Sequence, residues 1–152
     1  MAGVIAAFAI RKCIFFVTLV SSNSMYPSIK QGDRLLTKRI RGGIERGDIL
    51  IFFSKELGLV LVKRVIGLPG ELVEIGRDGE VFINNEKLQE TYVEINSGPA
   101  GTFIVPEKNY FFMGDNRSYS RDSRTWAEPY IPDEDILGKA LICIYPFRKI
   151  NC

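Results

Sequence analysis

Apolar residues in this chain fall into short runs and strict alternations rather than at helical spacing, which predicts many short β-strands. Residues 13–20, rich in Phe, Val and Thr, read as a first strand, and 34–38 as a short second one. Continuous apolar runs at 49–53 and 59–66 have strand length and predict strands covered on both faces. From 71 to 96 the pattern changes to alternation. Leu72, Val73 and Ile75, then Val81, Phe82 and Ile83, flank Gly76-Arg77-Asp78-Gly79, and Asn84-Asn85-Glu86 makes a further turn, so hairpins with one wet face are expected. Strands at 102–105, 110–113 and 137–145 follow, with loops at 41–48 and 96–101, a polar segment at 114–124 and a turn at Pro132-Asp133-Glu134-Asp135. No internal repeat is present. The predicted fold is mostly β: a core built from 13–70 and 102–147, with a small β-hairpin subdomain inserted at 71–101.

The N-terminus has its own pattern. Residues 2–10 are apolar, Arg11-Lys12 interrupts, and the apolar run resumes at Cys13. A bilayer span needs about 20 consecutive apolar residues, so neither piece is long enough alone. Joined, they would hold two cations near mid-membrane, and a signal peptide would carry its charge ahead of its apolar region. Residues 1–12 are therefore read as the stub of a membrane anchor with Arg11-Lys12 at its interfacial end, an ordinary buried segment being the alternative.

Composition narrows the function classes. With 152 residues the chain fits one domain, or a core plus a small subdomain. A hydrophobic fraction of 46% and a mean hydropathy of +0.05 fit a globular domain that also touches membrane lipid. The formal charge of +2 does not argue for nucleic acid, and Lys38, Arg39, Arg41 and Arg46 lack interleaved aromatics, so they read as a solvated loop. The cysteines, Cys13, Cys143 and Cys152, show no CxxC spacing, and there is no histidine, so neither a metal nor another cofactor is expected. Cys143, within Leu141-Ile142-Cys143-Ile144, reads as a buried small hydrophobe.

The missing histidine matters most for catalysis. Ser21-Ser22-Asn23-Ser24-Met25-Tyr26-Pro27-Ser28 lies between the apolar run and the Gly32-Asp33 turn, and Ser24 is the candidate nucleophile. Its base cannot be an imidazole, so a Ser-His-Asp triad is excluded. Among the lysines, Lys63 stands out because Leu61, Val62, Val65 and Ile66 can desolvate its ammonium and lower its pKa. Taken singly these features are bland: serines before a proline commonly make a turn, a strand-edge lysine snorkels, and Asp115, Arg117, Asp122 and Arg124 could form a salt-bridged loop.

Their joint order changes the reading. Ser22-Asn23-Ser24-Met25-Tyr26-Pro27-Ser28, Arg46-Gly47-Asp48-Ile49, Lys63-Arg64-Val65-Ile66-Gly67-Leu68-Pro69-Gly70-Glu71 and Gly114-Asp115-Asn116-Arg117-Ser118-Tyr119-Ser120-Arg121-Asp122-Ser123-Arg124 resemble the successive motifs of the bacterial type I signal peptidases. The resemblance implies a signal-peptidase/LexA-like β-fold and a membrane-bound serine endopeptidase that removes signal peptides from preproteins after Ala-x-Ala. Ser24 matches the family's nucleophile and Lys63 its general base; Ser22, with the Ser24 backbone N–H, falls on the oxyanion hole, and Ser120 on the serine that orients the lysine. Arg64, Asp115, Asp122 and Arg124 match charged residues that support the site. Met25, Ile29, Leu61 and Val62 fall on the pocket for the residue before the cut, and Val20 with Val62 on the pocket two residues further back. Substrate is expected as an added strand beside 13–24 and 59–63, and activity is expected to fall in acid as Lys63 protonates. The family's location implies a single-pass anchor in the cell membrane with the catalytic part outside the cytoplasm.

The chain departs from the family in a shorter anchor and in Trp126-Ala127-Glu128-Pro129-Tyr130, where a Trp-Gly run is usual. Arg11-Lys12 alone would by the positive-inside rule put the catalytic part in the cytoplasm; a longer anchor would bring its own charges. A relative dedicated to one precursor, such as a pilin, shares these motifs. A self-cleaving LexA-type regulator needs a DNA-binding domain and an Ala-Gly bond shortly before the serine, whereas the one such dipeptide ahead of Ser24 is Ala2-Gly3, at the chain start. A non-catalytic binding module would have no use for Ser22, Ser24, Lys63 and Ser120 together.

Overall fold

The computed structural model describes residues 14–150, so the expected anchor stub at 1–12, with Cys13 and Cys152, lies outside the described residues. Among the described residues no helix is long and apolar enough to cross a membrane.

The described residues form twelve strands and one 3-10 turn: β1 (Phe15–Leu19), β2 (Arg34–Lys38), β3 (Ile49–Ser54), β4 (Leu59–Gly67), β5 (Leu72–Ile75), β6 (Val81–Ile83), β7 (Glu86–Lys87), β8 (Gly101–Ile104), β9 (Asn109–Met113), β10 (Tyr130–Pro132), the turn Asp133–Asp135, β11 (Ile136–Tyr145) and β12 (Phe147–Lys149). The larger sheet runs β1-β2-β11-β3-β4-β9-β10, with β12 folded back on β11; the smaller runs β7-β6-β5-β8. Every pairing is antiparallel. The fold is mostly β, as the hydrophobic pattern predicts.

Three apolar clusters fill the interior. Val20, Met25, Ile29, Leu35, Ile49 and Ile51 pack on one face of the larger sheet. Leu50, Phe52, Val65, Phe112 and Trp126 pack on the other, where the Phe52 and Phe112 rings stack with centroids 4.3 Å apart. β3 alternates between the two clusters, which is why its sequence is apolar without a break. Ile66, Val73, Ile75, Phe111 and Met113 join the two sheets. At that junction Gly67 leaves no room for a side chain: a Cβ there would lie 2.6 Å from Val73 Cγ2 and 2.9 Å from Val105 Cγ2.

Several expectations are corrected. The run 59–66 is not covered on both faces throughout, for Leu59 and Val60 are 57% and 55% exposed. The reason lies in the pairing: β9 covers β4 only from Arg64 to Gly67, so Leu59–Lys63 pairs with β3 alone and keeps one edge open. Arg46 is not part of a solvated loop, since its guanidinium donates to both Glu71 oxygens at 2.7 and 2.6 Å and to the Ile66 carbonyl at 2.6 Å. Arg39 lies over the Phe16 ring at 4.9 Å. β10 and β12 were not legible as strands, because both are short and one contains a proline. Gly67→Ala should destabilise the fold by about 1–3 kcal/mol by overpacking the junction, read from denaturant midpoints at unchanged m-value; an unshifted midpoint would show that the two sheets do not press together there.

Candidate active site

Ser24 sits on a loop, residues 20–33, whose neck is closed by backbone hydrogen bonds from Val20 N–H to the Asp33 carbonyl at 2.9 Å and from Gly32 N–H to the Val20 carbonyl at 2.8 Å. Met25 and Ile29, four apart on successive turns and linked by an Ile29 N–H to Met25 carbonyl bond of 2.9 Å, plug the loop into the core beneath it. Asp33 is held by Arg148, one contact being 3.0 Å. Ser24 is thereby presented, 6% exposed, with its side chain toward β4.

Successive residues on a strand point to opposite faces, and β4 uses this at its centre. Lys63, paired across β3 with Leu50, places its Nζ 2.5 Å from Ser24 Oγ. Arg64, the next residue, points the other way and makes a two-pronged pair with Asp115, Nε to Oδ1 at 2.8 Å and Nη2 to Oδ2 at 2.7 Å, both side chains fully buried. A second such pair, Arg124 with Asp122, has contacts of 2.8 and 2.9 Å and is equally buried. Bidentate geometry of this kind satisfies both charges where a single contact would leave one underpaired.

Burial lowers the Lys63 pKa from the ordinary lysine range to about 8; Asp122 and Asp115 pull it back up, and Arg124 pushes it down. Dry apolar surroundings thus outweigh nearby carboxylates whose charge their own arginines largely absorb. Above about pH 8 the amine is neutral and can take the Ser24 proton.

Ser22 Oγ donates to Ser24 Oγ at 3.2 Å, so it stands beside the oxygen that would attack a carbonyl. Ser120 Oγ, expected to orient the lysine, is buried and makes no hydrogen bond. It lies against Gly114, where a Cβ would come within 2.2 Å of Ser120 Oγ and 2.4 Å of the Ser24 carbonyl oxygen. Only glycine permits this approach. The backbone beyond it fastens onto the serine loop: Asn116 N–H donates to the Ser24 carbonyl at 3.1 Å, and its side-chain amide to the Asn23 carbonyl at 3.1 Å.

A cleft of about 130 Å³ opens beside the Ser24–Lys63 contact, lined among others by Leu19, Val20, Met25, Val60, Leu61 and Val62. Of the residues expected in the substrate pockets, Val20, Met25, Leu61 and Val62 are there; Ile29 is not, because it lies fully buried in the core one turn beyond Met25. Sequence reasoning also passed over Gly114 and Asn116 as contacts of Ser24. Among the described residues no group of three His, Cys, Asp or Glu side chains could hold a metal ion.

The profile of the family described as "Signal peptidase, peptidase S26" matches residues 1–145. The chain belongs to the signal peptidase family. Signal peptidase I P of Bacillus subtilis subsp. natto is 37% identical over 98% of this chain and 87% of its own length, and signal peptidase I of Leptolyngbya laminosa is 34% identical over 98% and 78%. A crystal structure of a signal peptidase I from Enterococcus faecalis V583 is similar in fold, with a TM-score of 0.58, 33% identity, and coverage of 66% of this chain and 98% of that one. The family makes the chain a signal peptidase whose substrates are the signal peptides of preproteins.

Holding Lys63 at a pKa of about 8 in the folded state, against about 10.4 in an unfolded chain, costs about 3 kcal/mol of stability below pH 8. The unfolded chain binds the extra proton between those values, so stability rises with pH across that window. Lys63→Met should therefore raise the unfolding free energy at neutral pH, by roughly 1–3 kcal/mol, and flatten this rise; an unchanged or lower value at neutral pH would show that the amine is not held dry.

Proposed function

We propose that Ser24 and Lys63 form a catalytic dyad that cleaves preproteins after small residues at the first and third positions before the cut, the Ala-x-Ala pattern. The 2.5 Å contact between a buried amine and a serine hydroxyl, in a chain without histidine, carries this reading. Neutral Lys63 accepts the Ser24 proton as Oγ attacks the scissile carbonyl, and the resulting ammonium returns it to the leaving amine. The acyl-enzyme is then hydrolysed by a water that the same amine deprotonates. The Ser24 backbone N–H and the Ser22 hydroxyl serve as oxyanion donors, each worth about 3 kcal/mol in the transition state. Ser120, whose buried hydroxyl is unbonded in the free protein, would orient the amine by turning that hydroxyl to it.

Specificity for small residues is supported by the size of the cleft, since about 130 Å³ is well below the range of pockets for larger groups. The open edge of Leu59–Lys63, and β1, which among the described residues pairs only with β2, leave backbone groups for an extended substrate. Val17, Leu19, Leu59 and Val60 expose apolar surface around the cleft, which fits work at a membrane, with the catalytic part on the extracytoplasmic face.

Incubation of the protein with a preprotein in detergent, followed by mass analysis, should give a single cut after Ala-x-Ala, with Ser24→Ala and Lys63→Ala each at least ~1000-fold slower and still folded. The rate should fall tenfold per pH unit below about 8 as Lys63 gains its proton. Cutting after bulky residues would refute the specificity, and full activity in either variant the dyad.

A further inference from the structure

The connection between β7 and β8, residues 88–100, carries no regular structure of its own, and connections that long are seldom passive. It leaves the smaller sheet and meets three buried arginines, Arg117, Arg64 and Arg124. Glu90 takes Arg117 in a two-pronged pair, one contact being 2.9 Å, with side-chain exposures of 6% and 0%. The Tyr92 ring lies flat on Arg64, 3.8 Å from the guanidinium carbon to the ring centre, and its hydroxyl donates to Glu90 Oε1 at 3.0 Å. The Ser97 carbonyl accepts from Arg124 Nη1 at 2.7 Å.

Each of these arginines leads to the reacting atoms within a few bonds. Arg117 Nε donates to the Gly114 carbonyl at 3.0 Å, and Gly114 N–H donates to Asp122 at 2.9 Å. Gly114 lies against the Ser24 carbonyl, which the next residue but one, Asn116, binds through its N–H. Arg64 is the neighbour of Lys63 on β4 and holds Asp115. Three buried cations are matched by Asp115, Asp122 and Glu90. The first two acids belong to the 114–124 loop itself; the third is supplied from outside it.

We propose that Glu90 and Tyr92 are positioning residues for catalysis: by clamping Arg117 and Arg64 from the smaller sheet's connection, they hold the 114–116 backbone against Ser24 and keep Lys63 covered. This rests on the Ser24–Lys63 reading. It also gives the smaller sheet a task in the reaction, since it carries the strap's two ends. Neither residue lines the cleft, so their loss acts on turnover rather than on substrate binding. The charged groups that act on Lys63 are Asp122, Arg124 and Asp115, and all three are bound directly or through Arg64 and Arg117 to the strap's partners. A loosened loop admits water to the amine and returns its pKa toward the ordinary lysine value.

The test uses the full chain and a signal-peptide substrate, with kcat, KM, the acid limb of the rate profile and the melting temperature measured for Glu90→Gln, Glu90→Asp, Tyr92→Phe and Ser24→Ala. Glu90→Gln should lower kcat roughly tenfold with KM within about twofold, and move the acid limb to higher pH. Glu90→Asp should recover part of the loss, and Tyr92→Phe, which keeps the ring on Arg64 and removes only the bridge to Glu90, should lose about threefold in kcat. A lower melting temperature with wild-type kcat and acid limb in Glu90→Gln would mark the strap as merely structural and overturn the proposal. Should Glu90→Gln not fold, wild-type kcat and acid limb in Tyr92→Phe do the same. If Ser24→Ala still cleaves, the dyad falls and the strap with it; if Ser24→Ala is inactive while the strap variants match wild type, the strap alone falls.

Discussion

A lysine amine kept out of water is the condition on which the rest of this molecule depends. Lys63 is 4% exposed, and its burial outweighs the pull of Asp122 and Asp115 and brings its pKa down to about 8, so that a neutral amine is within reach. Those carboxylates are tolerable because Arg64 and Arg124 hold them in bidentate pairs. Removing one partner of such a pair would leave an uncompensated buried charge, a loss of about 3–5 kcal/mol. The ionic framework is therefore a means of placing polar backbone near the amine without recharging it.

The alternation of a single strand organises this framework. Lys63 and Arg64, adjacent on β4, point to opposite faces: Lys63 meets Ser24, while Arg64 holds Asp115 of the 114–124 loop and reaches Ser28 of the serine loop at 3.4 Å. The two loops meet again at Gly114 and Asn116, which touch the Ser24 carbonyl. Ser24 and Lys63 are thus tied together twice, once through their own hydrogen bond and once through the backbone behind Ser24. The same strand changes character along its length, buried from Lys63 onward and open at Leu59 and Val60, where an incoming chain can pair.

Much of this was legible in the sequence. The hydrophobic runs located β2, β3, β4 and β11 closely, because strands in a closely packed sheet leave an unmistakable apolar signature. The lack of histidine pointed to Lys63 through chemistry alone, and the structure brings it to Ser24. Where the reading failed, tertiary context decided. Leu59 and Val60 are as apolar as Val65 and Ile66, and only the missing neighbour on their edge exposes them. Met25 and Ile29 are both apolar and both packed in the core, and only their placement in space shows that Met25 also borders the cleft while Ile29 does not. Glu90 and Tyr92 lie in a stretch whose alternation predicts only a hairpin with a wet face, so their partners, distant in sequence, could be found only in space.

The most direct measurement is the titration of the Lys63 side chain itself, followed by NMR in protein carrying isotopically labelled lysine and assigned through the Lys63→Met variant. A resonance titrating near pH 8 and moving when Ser24 is replaced by Ala is the predicted result. A Lys63 that titrates near 10.5, with the bulk of the lysines, would mean that the amine is charged when the enzyme works and cannot be its base.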